Sequence, residues 1–138
     1  MLFRKKRIWN NLKVAINCIA ESNLRAMPIL LEIEPTNYCN TSCIMCPNDT
    51  MLRARGFMDL SLFKRIVDQT IDYAWEYAFN MMGEPTLHED LKTMIQYVKK
   101  KKGRVSLYTN LNYNNPNQTK WLTEAPVDRM VVNVGSTE

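Results

Sequence analysis

Residues 31–46 read LEIEPTNYCNTSCIMC and join a short aliphatic segment to three closely spaced cysteines. Cys39, Cys43 and Cys46 form a C-x3-C-x2-C pattern on a predicted loop. Thiolates at this spacing can converge on one small inorganic group, and soft thiolate ligands favour iron–sulfur clusters or zinc. The pattern therefore predicts a metal centre directly after a first strand.

The number of nearby ligands separates the candidate metal centres. Structural zinc normally uses four ligands, and ferredoxin-type clusters likewise use four thiolates. The remaining candidates in the sequence, Cys18 and His88, are far from the three cysteines along the chain. Three ligands leave one iron of a [4Fe-4S] cube open, which favours an open-site iron–sulfur cluster, with structural zinc as the alternative.

Length and composition narrow the class of protein. The chain has 138 residues, of which 46% are apolar and 23% charged, so it suits one domain with a packed core. Its net charge of +4 is too small to indicate a nucleic-acid partner. No apolar run approaches the roughly 18 residues of a membrane-spanning helix, and no segment resembles a secretory signal. Clustered cysteines of this kind are typical of intracellular metal sites, so we expect a cytoplasmic protein.

Residues 1–28 are predicted to be an N-terminal helical extension. A helix is expected from residue 4 to about residue 25, before Pro28. It is amphipathic, with apolar residues at helical spacing: Ile8, Leu12, Ala15, Ile16 and Ile19. We interpret it as packed on the outside of the core, with Cys18 as a small buried apolar residue. The alternative is a docking surface for an anionic membrane or an acidic partner.

Residues 29–138 alternate short apolar segments with helical patterns. Strands are predicted at 29–33, 77–81, 104–108 and 129–134, and helices at 59–73, 89–101 and 118–124. Asp59 can cap the first of these helices. This alternation is typical of a parallel sheet with right-handed crossovers, so the predicted fold class is α/β.

The predicted pattern stops after its fourth strand. It contains about four βα units, roughly half of an eightfold barrel of about 250 residues. A fourth strand without a covering helix or a fifth strand has an exposed edge. We therefore expect either a fragment or a half completed by another chain, and poor stability of the chain by itself.

The cysteine pattern, placed after Leu31-Glu32-Ile33-Glu34, resembles the radical S-adenosylmethionine (SAM) superfamily. Residues 34–40 and Cys46-Pro47-Asn48 resemble its branch related to SPASM-domain enzymes. The resemblance implies a partial (βα) barrel over residues 29–138, preceded by the N-terminal helix. It also implies that the three cysteines bind three irons of a [4Fe-4S] cluster, while the amino and carboxylate groups of SAM chelate the fourth.

A second motif, Met82-Gly83-Glu84-Pro85, follows the second predicted strand. It resembles the Gly-Gly-Glu-Pro motif of the family, whose backbone and Glu side chain contact the SAM amino group. Met82 replaces the first glycine. Gly83 allows a close backbone approach, and a carboxylate such as Glu84 suits a cationic amine. The alternative is an ordinary turn with a surface glutamate.

Three further positions correspond to weaker motifs of the family. Met45 stands where an aromatic residue usually packs on the SAM adenine, and it can pack similarly. Thr109-Asn110-Leu111 resembles a Thr-Asn-Gly turn, and Asn133-Val134-Gly135-Ser136 occupies the place of a Ser-x-Asp-Gly-like turn near the SAM ribose. Gly135 stands where Asp is usual. All these motifs follow predicted parallel strands, where α/β barrels build active sites.

The resemblance implies reductive cleavage of SAM. An electron from a flavodoxin or ferredoxin type of donor yields methionine and a 5′-deoxyadenosyl radical, which abstracts hydrogen from a substrate. No protein side chain is predicted to be catalytic beyond the cluster ligands, because the cofactor supplies the hard chemistry. Related proteins modify peptides, sugars or other metabolites, and the sequence does not distinguish among them. The alternative function is a non-catalytic metal-binding module, with structural zinc or an electron-transfer cluster.

Overall fold

A computed structural model describes residues 2–112, 120–122 and 124–134. Its centre is a four-stranded parallel sheet in the order β1-β2-β3-β4. The strands are β1 (Leu30–Ile33), β2 (Glu76–Phe79), β3 (Arg104–Thr109) and β4 (Arg129–Val132). One row across the sheet pairs Ile33 with Phe79, Phe79 with Leu107, and Leu107 with Met130. The predicted α/β class and parallel sheet are confirmed.

Two helices, α2 (Leu60–Thr70) and α3 (Leu91–Lys100), pack on one face of the sheet. The core that they form with the sheet is apolar and fully or almost fully buried: Phe63, Val67, Tyr77, Phe79, Leu91, Met94, Ile95, Val98, Val105 and Leu107. Asp59 caps α2 as predicted, because its Oδ1 accepts hydrogen bonds from the amides of Ser61 (2.8 Å) and Leu62 (3.0 Å). Hydrogen bonds from Ser61 and Leu62 hold the pKa of Asp59 below its usual range.

The opposite face of the sheet carries polar side chains. Arg129 donates hydrogen bonds to Glu76 Oε1 (2.9 Å), the Tyr108 hydroxyl (3.2 Å) and Ser106 Oγ (3.1 Å). Ser106 Oγ also donates to Glu76 Oε1. These residues alternate along their strands with the core residues, because successive side chains of a strand point to opposite faces. The sheet is therefore apolar on its helix-covered face and polar on the other.

The N-terminal helix, α1 (Leu2–Ala20), ends about five residues before the predicted end. Glu21 adopts a left-handed conformation (φ 47°), which the helix cannot continue. Asn17 then fixes the following segment, since its side chain accepts from the Leu24 amide (2.9 Å) and donates to the Leu24 carbonyl (2.8 Å). No helix among the described residues is both long and apolar enough to cross a bilayer.

Several further element boundaries differ from the predictions by one to three residues, and α2 ends at Thr70 rather than at residue 73. The second strand ends at Phe79 rather than at residue 81, because Met81 has a φ of 93° and turns the chain away from the sheet. The fourth strand ends at Val132 rather than at residue 134. The predicted helix at 118–124 lies partly outside the described residues.

Candidate cofactor site

The segments that follow β1, β2 and β3 meet at the carboxyl edge of the sheet. Because the strands are parallel, the segments after Ile33, Phe79 and Thr109 all leave from this edge. The segment after β1 contains the three cysteines, and we call residues 36–57 the cysteine loop. The segments after β2 and β3 contain the Gly83-Glu84 motif and Asn110.

The two ends of the cysteine loop are joined by Asn37, Asn48 and Arg55, which we call the loop clasp. The Arg55 guanidinium donates to the Asn37 carbonyl (3.0 Å), to Asn48 Oδ1 (2.6 Å) and to the Asn48 carbonyl (3.1 Å). Asn48 Nδ2 donates to the carbonyls of Asn37 (3.0 Å) and Met82 (2.5 Å). The clasp thus closes the loop on both sides of the cysteines and ties it to the segment after β2.

Further hydrogen bonds join the beginning of the cysteine loop, at residues 36 and 37, to its end, at residues 54–56. Asn37 Nδ2 donates to the Ala54 carbonyl (2.9 Å), and its Oδ1 accepts from the Gly56 amide (2.7 Å). Thr36 Oγ1 donates to the Gly56 carbonyl (2.8 Å). Thr36 also forms an isolated antiparallel bridge with Phe57. A loop of about twenty residues is therefore tethered where it begins and where it ends.

The three cysteines on this loop are free thiols of intermediate exposure. Thr41 Oγ1 lies between two of them, at 3.3 Å from Cys39 Sγ and 3.8 Å from Cys43 Sγ. The Cys46 amide donates to the Cys43 carbonyl (3.0 Å). Among the described residues, no three His, Cys, Asp or Glu side chains are gathered as around a single metal ion. Three accessible soft thiols on one tethered loop nonetheless form a donor set that fits an iron–sulfur cluster.

Gly83 packs directly against the backbone of the cysteine loop. A Cβ atom at this position would lie 2.0 Å from the Thr36 carbonyl oxygen and 2.7 Å from the Tyr38 carbonyl oxygen. The next amide, that of Glu84, donates to the Tyr38 carbonyl (2.8 Å). In this structure the close backbone approach at Gly83 is made to the chain's own loop.

Glu84 is buried, with 2% of its surface exposed, so the alternative of a surface glutamate in an ordinary turn is wrong. Its Oε1 accepts hydrogen bonds from the Thr86 amide (3.2 Å), the Thr86 hydroxyl (2.6 Å) and the Thr109 hydroxyl (2.8 Å). Its Oε2 accepts from the Asn110 amide (2.8 Å). Pro85 is buried and begins the short 3-10 turn Pro85–Leu87 that Glu84 caps. The carboxylate thus ties this turn to the end of β3.

Asn110 continues this connection to the cysteines. Its Nδ2 donates to Asn40 Oδ1 (2.8 Å) and Thr41 Oγ1 (3.1 Å), and it lies 3.8 Å from Cys39 Sγ. The next residue, Leu111, has a φ of 52°. That left-handed conformation is one that glycine adopts without strain, which explains the glycine of the resembled turn. One chain of hydrogen bonds therefore runs from Glu84 through Asn110 to the cysteine loop.

Residues 33–138 match the radical SAM superfamily. The chain belongs to the radical SAM superfamily. The cofactors of this superfamily are a [4Fe-4S] cluster and SAM, so the cofactor prediction is confirmed at the level of the family. The relatives are radical SAM and SPASM-related proteins, as the sequence indicated.

Known relatives of this radical SAM chain are longer than it. The S-adenosyl-L-methionine-dependent 2-deoxy-scyllo-inosamine dehydrogenase of Niallia circulans is 29% identical over 75% of the chain and 43% of its own length. The tungsten-containing aldehyde ferredoxin oxidoreductase cofactor-modifying protein of Pyrococcus furiosus is 32% identical over 71% of the chain and 28% of its own length. The crystal structure of BtrN in complex with AdoMet and 2-DOIA superimposes with a TM-score of 0.70 at 26% identity, covering 83% of the chain and 50% of BtrN. The chain therefore spans half or less of the length of each of these three relatives.

The predicted site residues of this radical SAM chain differ in how closely the structure connects them to the cysteine loop. Glu84 and Asn110 are joined to each other and, through Asn110, to the segment around Cys39. Met45 is 93% exposed and does not pack on the body of the protein. The Asn133 amide donates to the Thr109 carbonyl (2.9 Å), which places Asn133 at the same edge of the sheet, with its side chain exposed. Gly135 and Ser136 lie outside the described residues.

The exposure of Cys18 differs from the sequence interpretation, and the loop clasp was not part of it. Cys18 is exposed on α1, so its interpretation as a buried apolar residue is wrong. The loop clasp was not predicted, because Asn and Arg are common in surface loops and no periodicity marks them. The signal that could have identified Asn48 is its place directly after Cys46-Pro47, within the motif that the resemblance already used.

Proposed function

We propose that Cys39, Cys43 and Cys46 of this chain bind three irons of a [4Fe-4S] cluster, and that SAM binds beside them at the carboxyl edge of the sheet. The observation that supports this most is the tethering of the cysteine loop to both other motifs. Asn48 bonds the loop to Met82, and Asn110 bonds it to the end of β3. Three segments that are distant in sequence thus meet at one place.

The cluster, when bound, supplies the electron that cleaves SAM reductively to methionine and a 5′-deoxyadenosyl radical able to abstract hydrogen from a substrate. The chain's own residues hold and orient the reactants. The loop clasp fixes the loop that bears the thiolates, and Gly83 keeps the loop against the second motif. We further propose an external electron donor of the flavodoxin or ferredoxin type, and a peptide, a sugar or another metabolite as the substrate. Relatives named for an inosamine and for a cofactor show that the substrates of the family are diverse.

The alternative function is a non-catalytic metal-binding module, with structural zinc or an electron-transfer cluster. Anaerobic reconstitution with iron and sulfide, followed by metal analysis and an absorption spectrum, separates the two. We expect about four irons per chain and a brown, oxygen-sensitive chromophore that changes when SAM is added, because one iron lacks a protein ligand. A colourless protein with one zinc, or a cluster that does not respond to SAM, would exclude the proposed function.

Glu84→Gln is expected to weaken SAM binding about ten- to hundredfold while iron content stays near that of the wild type. We predict that the carboxylate faces the SAM ammonium group, and hydrogen bonds to charged groups are worth about 1.5–3 kcal/mol. The measurement is calorimetric titration of the reconstituted protein with SAM, with Glu89→Gln, an exposed glutamate in the same segment, as the control. Equal SAM affinity in Glu84→Gln and wild type would limit Glu84 to its observed contacts with Thr109 and Asn110.

A further inference from the structure

α1 is attached to the rest of the protein through its polar side. Asn10 is buried, and its side chain donates to the Met27 carbonyl (2.9 Å) and accepts from the Met27 amide (2.7 Å). Arg7 donates to the Ile71 carbonyl (2.8 Å). A surface helix normally turns its apolar stripe to the core and its polar side to water. In α1 the polar side faces the protein.

The apolar side of α1 faces outward. Its exposed large side chains are Ile8 (59% exposed), Trp9 (64%), Leu12 (46%), Ile16 (37%) and Ile19 (85%). Positions 8, 12, 16 and 19 follow one another at helical spacing and form one row, which we call the outer stripe. In the described part of the chain, α1 therefore lies outside the core with the outer stripe turned away from it. Contiguous exposed apolar surface of this kind is typical of a contact with a partner or a membrane.

The charges of α1 indicate what that partner is. Residues 2–20 contain five Lys and Arg and no Asp or Glu. Lys6 pairs with Asp72 (2.9 Å), whereas Lys5 and Lys13 are exposed, and within the described part of the chain neither has an acidic partner. Lys5 precedes Ile8 by three residues and lies at the amino-terminal end of the outer stripe, and Lys13 precedes Ile16 by three residues and lies beside the stripe. An aliphatic row next to exposed cations suits a partner with an apolar interior and an anionic outer layer.

We propose that α1 docks on an anionic lipid bilayer, with the outer stripe among the acyl chains and Lys5 and Lys13 among the lipid phosphates. Interfacial helices have this combination of aliphatic residues, an aromatic residue and a basic rim. Long lysine side chains extend from an apolar face to the headgroups, and tryptophan is favoured at the interface. An acidic protein would satisfy the lysines, but the uninterrupted aliphatic row favours a bilayer. This proposal goes beyond the function proposed above and does not depend on it.

The attachment of α1 fixes the side of the protein that faces the bilayer. Its contacts are with Ile71, with Asp72 and with Trp75, over which the Arg7 guanidinium lies at 5.8 Å from the ring centroid. These residues directly precede Glu76, so they lie at the amino edge of the parallel sheet. The cysteine loop lies at the carboxyl edge. Docking through α1 therefore leaves the candidate cofactor site away from the membrane and open to a water-soluble electron donor.

The test is co-sedimentation of the 138-residue chain with lipid vesicles. Vesicles of phosphatidylglycerol mixed with phosphatidylcholine are expected to bind the chain, and vesicles of phosphatidylcholine alone to bind it much more weakly. The double variant Lys5→Gln/Lys13→Gln should lose about thirtyfold in affinity, since each surface lysine contributes roughly fivefold. The matched control is Lys92→Gln/Lys100→Gln, which removes two exposed lysines at the same eight-residue spacing from α3. This control should bind like the wild type.

Leu12→Asn and Ile16→Asn test the outer stripe separately. Each is expected to lower vesicle affinity at least tenfold without changing the circular dichroism of the chain, because both side chains are exposed. Equal binding of the two kinds of vesicle, or an equal loss in the α3 control, would overturn the proposal. A dimer that forms without lipid and is broken by Leu12→Asn would also overturn it, because the occupant of the stripe would then be a second copy of the chain.

Discussion

Replacement of Cys39, Cys43 or Cys46 by alanine, one at a time, is expected to abolish the iron–sulfur chromophore. Each thiolate would hold a different iron, and a cube bound through two protein ligands has no third point of attachment. The thiols already lie on a loop whose two ends are joined by the clasp, and the loop contains no fourth cysteine or histidine to replace a lost ligand. The measurement is iron content per chain and absorbance in the visible range after anaerobic reconstitution.

Cys18→Ala is the control for these variants. Cys18 is exposed on α1, which attaches at the amino edge of the sheet, opposite the cysteine loop. We expect Cys18→Ala to bind as much iron as the wild type. Loss of iron in Cys18→Ala as complete as in the other three variants would show that the ligand assignment is wrong. Thermal melting of the four apoproteins checks that the loss in the loop variants comes from missing ligands and not from unfolding.

Local patterns predicted much of the sheet and of its covering helices. The helix after Asp59 could be predicted because an apolar stripe and a capping residue are both encoded within about one dozen neighbouring positions. The parallel direction of the strands followed from their alternation with helices, since a crossover helix returns the chain to the same end of the sheet. Their order in the sheet was not predicted. The polar face of the sheet was missed. Its signal is the two-residue alternation in Arg104–Thr109, which a search for short apolar runs does not detect.

Contacts between distant residues explain what could not be predicted. Asn110 and Asn40 are 70 residues apart in sequence, yet their side chains are hydrogen-bonded. No spacing rule connects such positions. The resemblance could therefore place Asn110 at the carboxyl edge of the sheet but could not identify Asn40 as its hydrogen-bond partner. The end of α1 was missed for a different, local reason. A side chain, that of Asn17, bonds the backbone after the helix, and this competes with continued helical hydrogen bonding.

Gly83→Ala is expected to separate the cysteine loop from the segment after β2 and to destabilise the fold by about 3 kcal/mol or more. The added Cβ would lie 2.0 Å from the Thr36 carbonyl oxygen, a backbone atom that cannot rotate away as a side chain can. The loop would have to shift, and the hydrogen bonds that the Tyr38 and Met82 carbonyls accept would lengthen or break. Chemical denaturation of the apoprotein measures the loss of stability, and reconstitution measures the loss of bound iron.

Gly56→Ala is the matched control, because it makes the same chemical change within the cysteine loop itself. A Cβ at Gly56 meets no atom within 4 Å, and the backbone groups that bond Asn37 and Thr36 are retained. We expect Gly56→Ala to fold and to bind iron like the wild type. Equal stability and equal iron content in Gly83→Ala and Gly56→Ala would show that the contact between Gly83 and Thr36 does not position the loop.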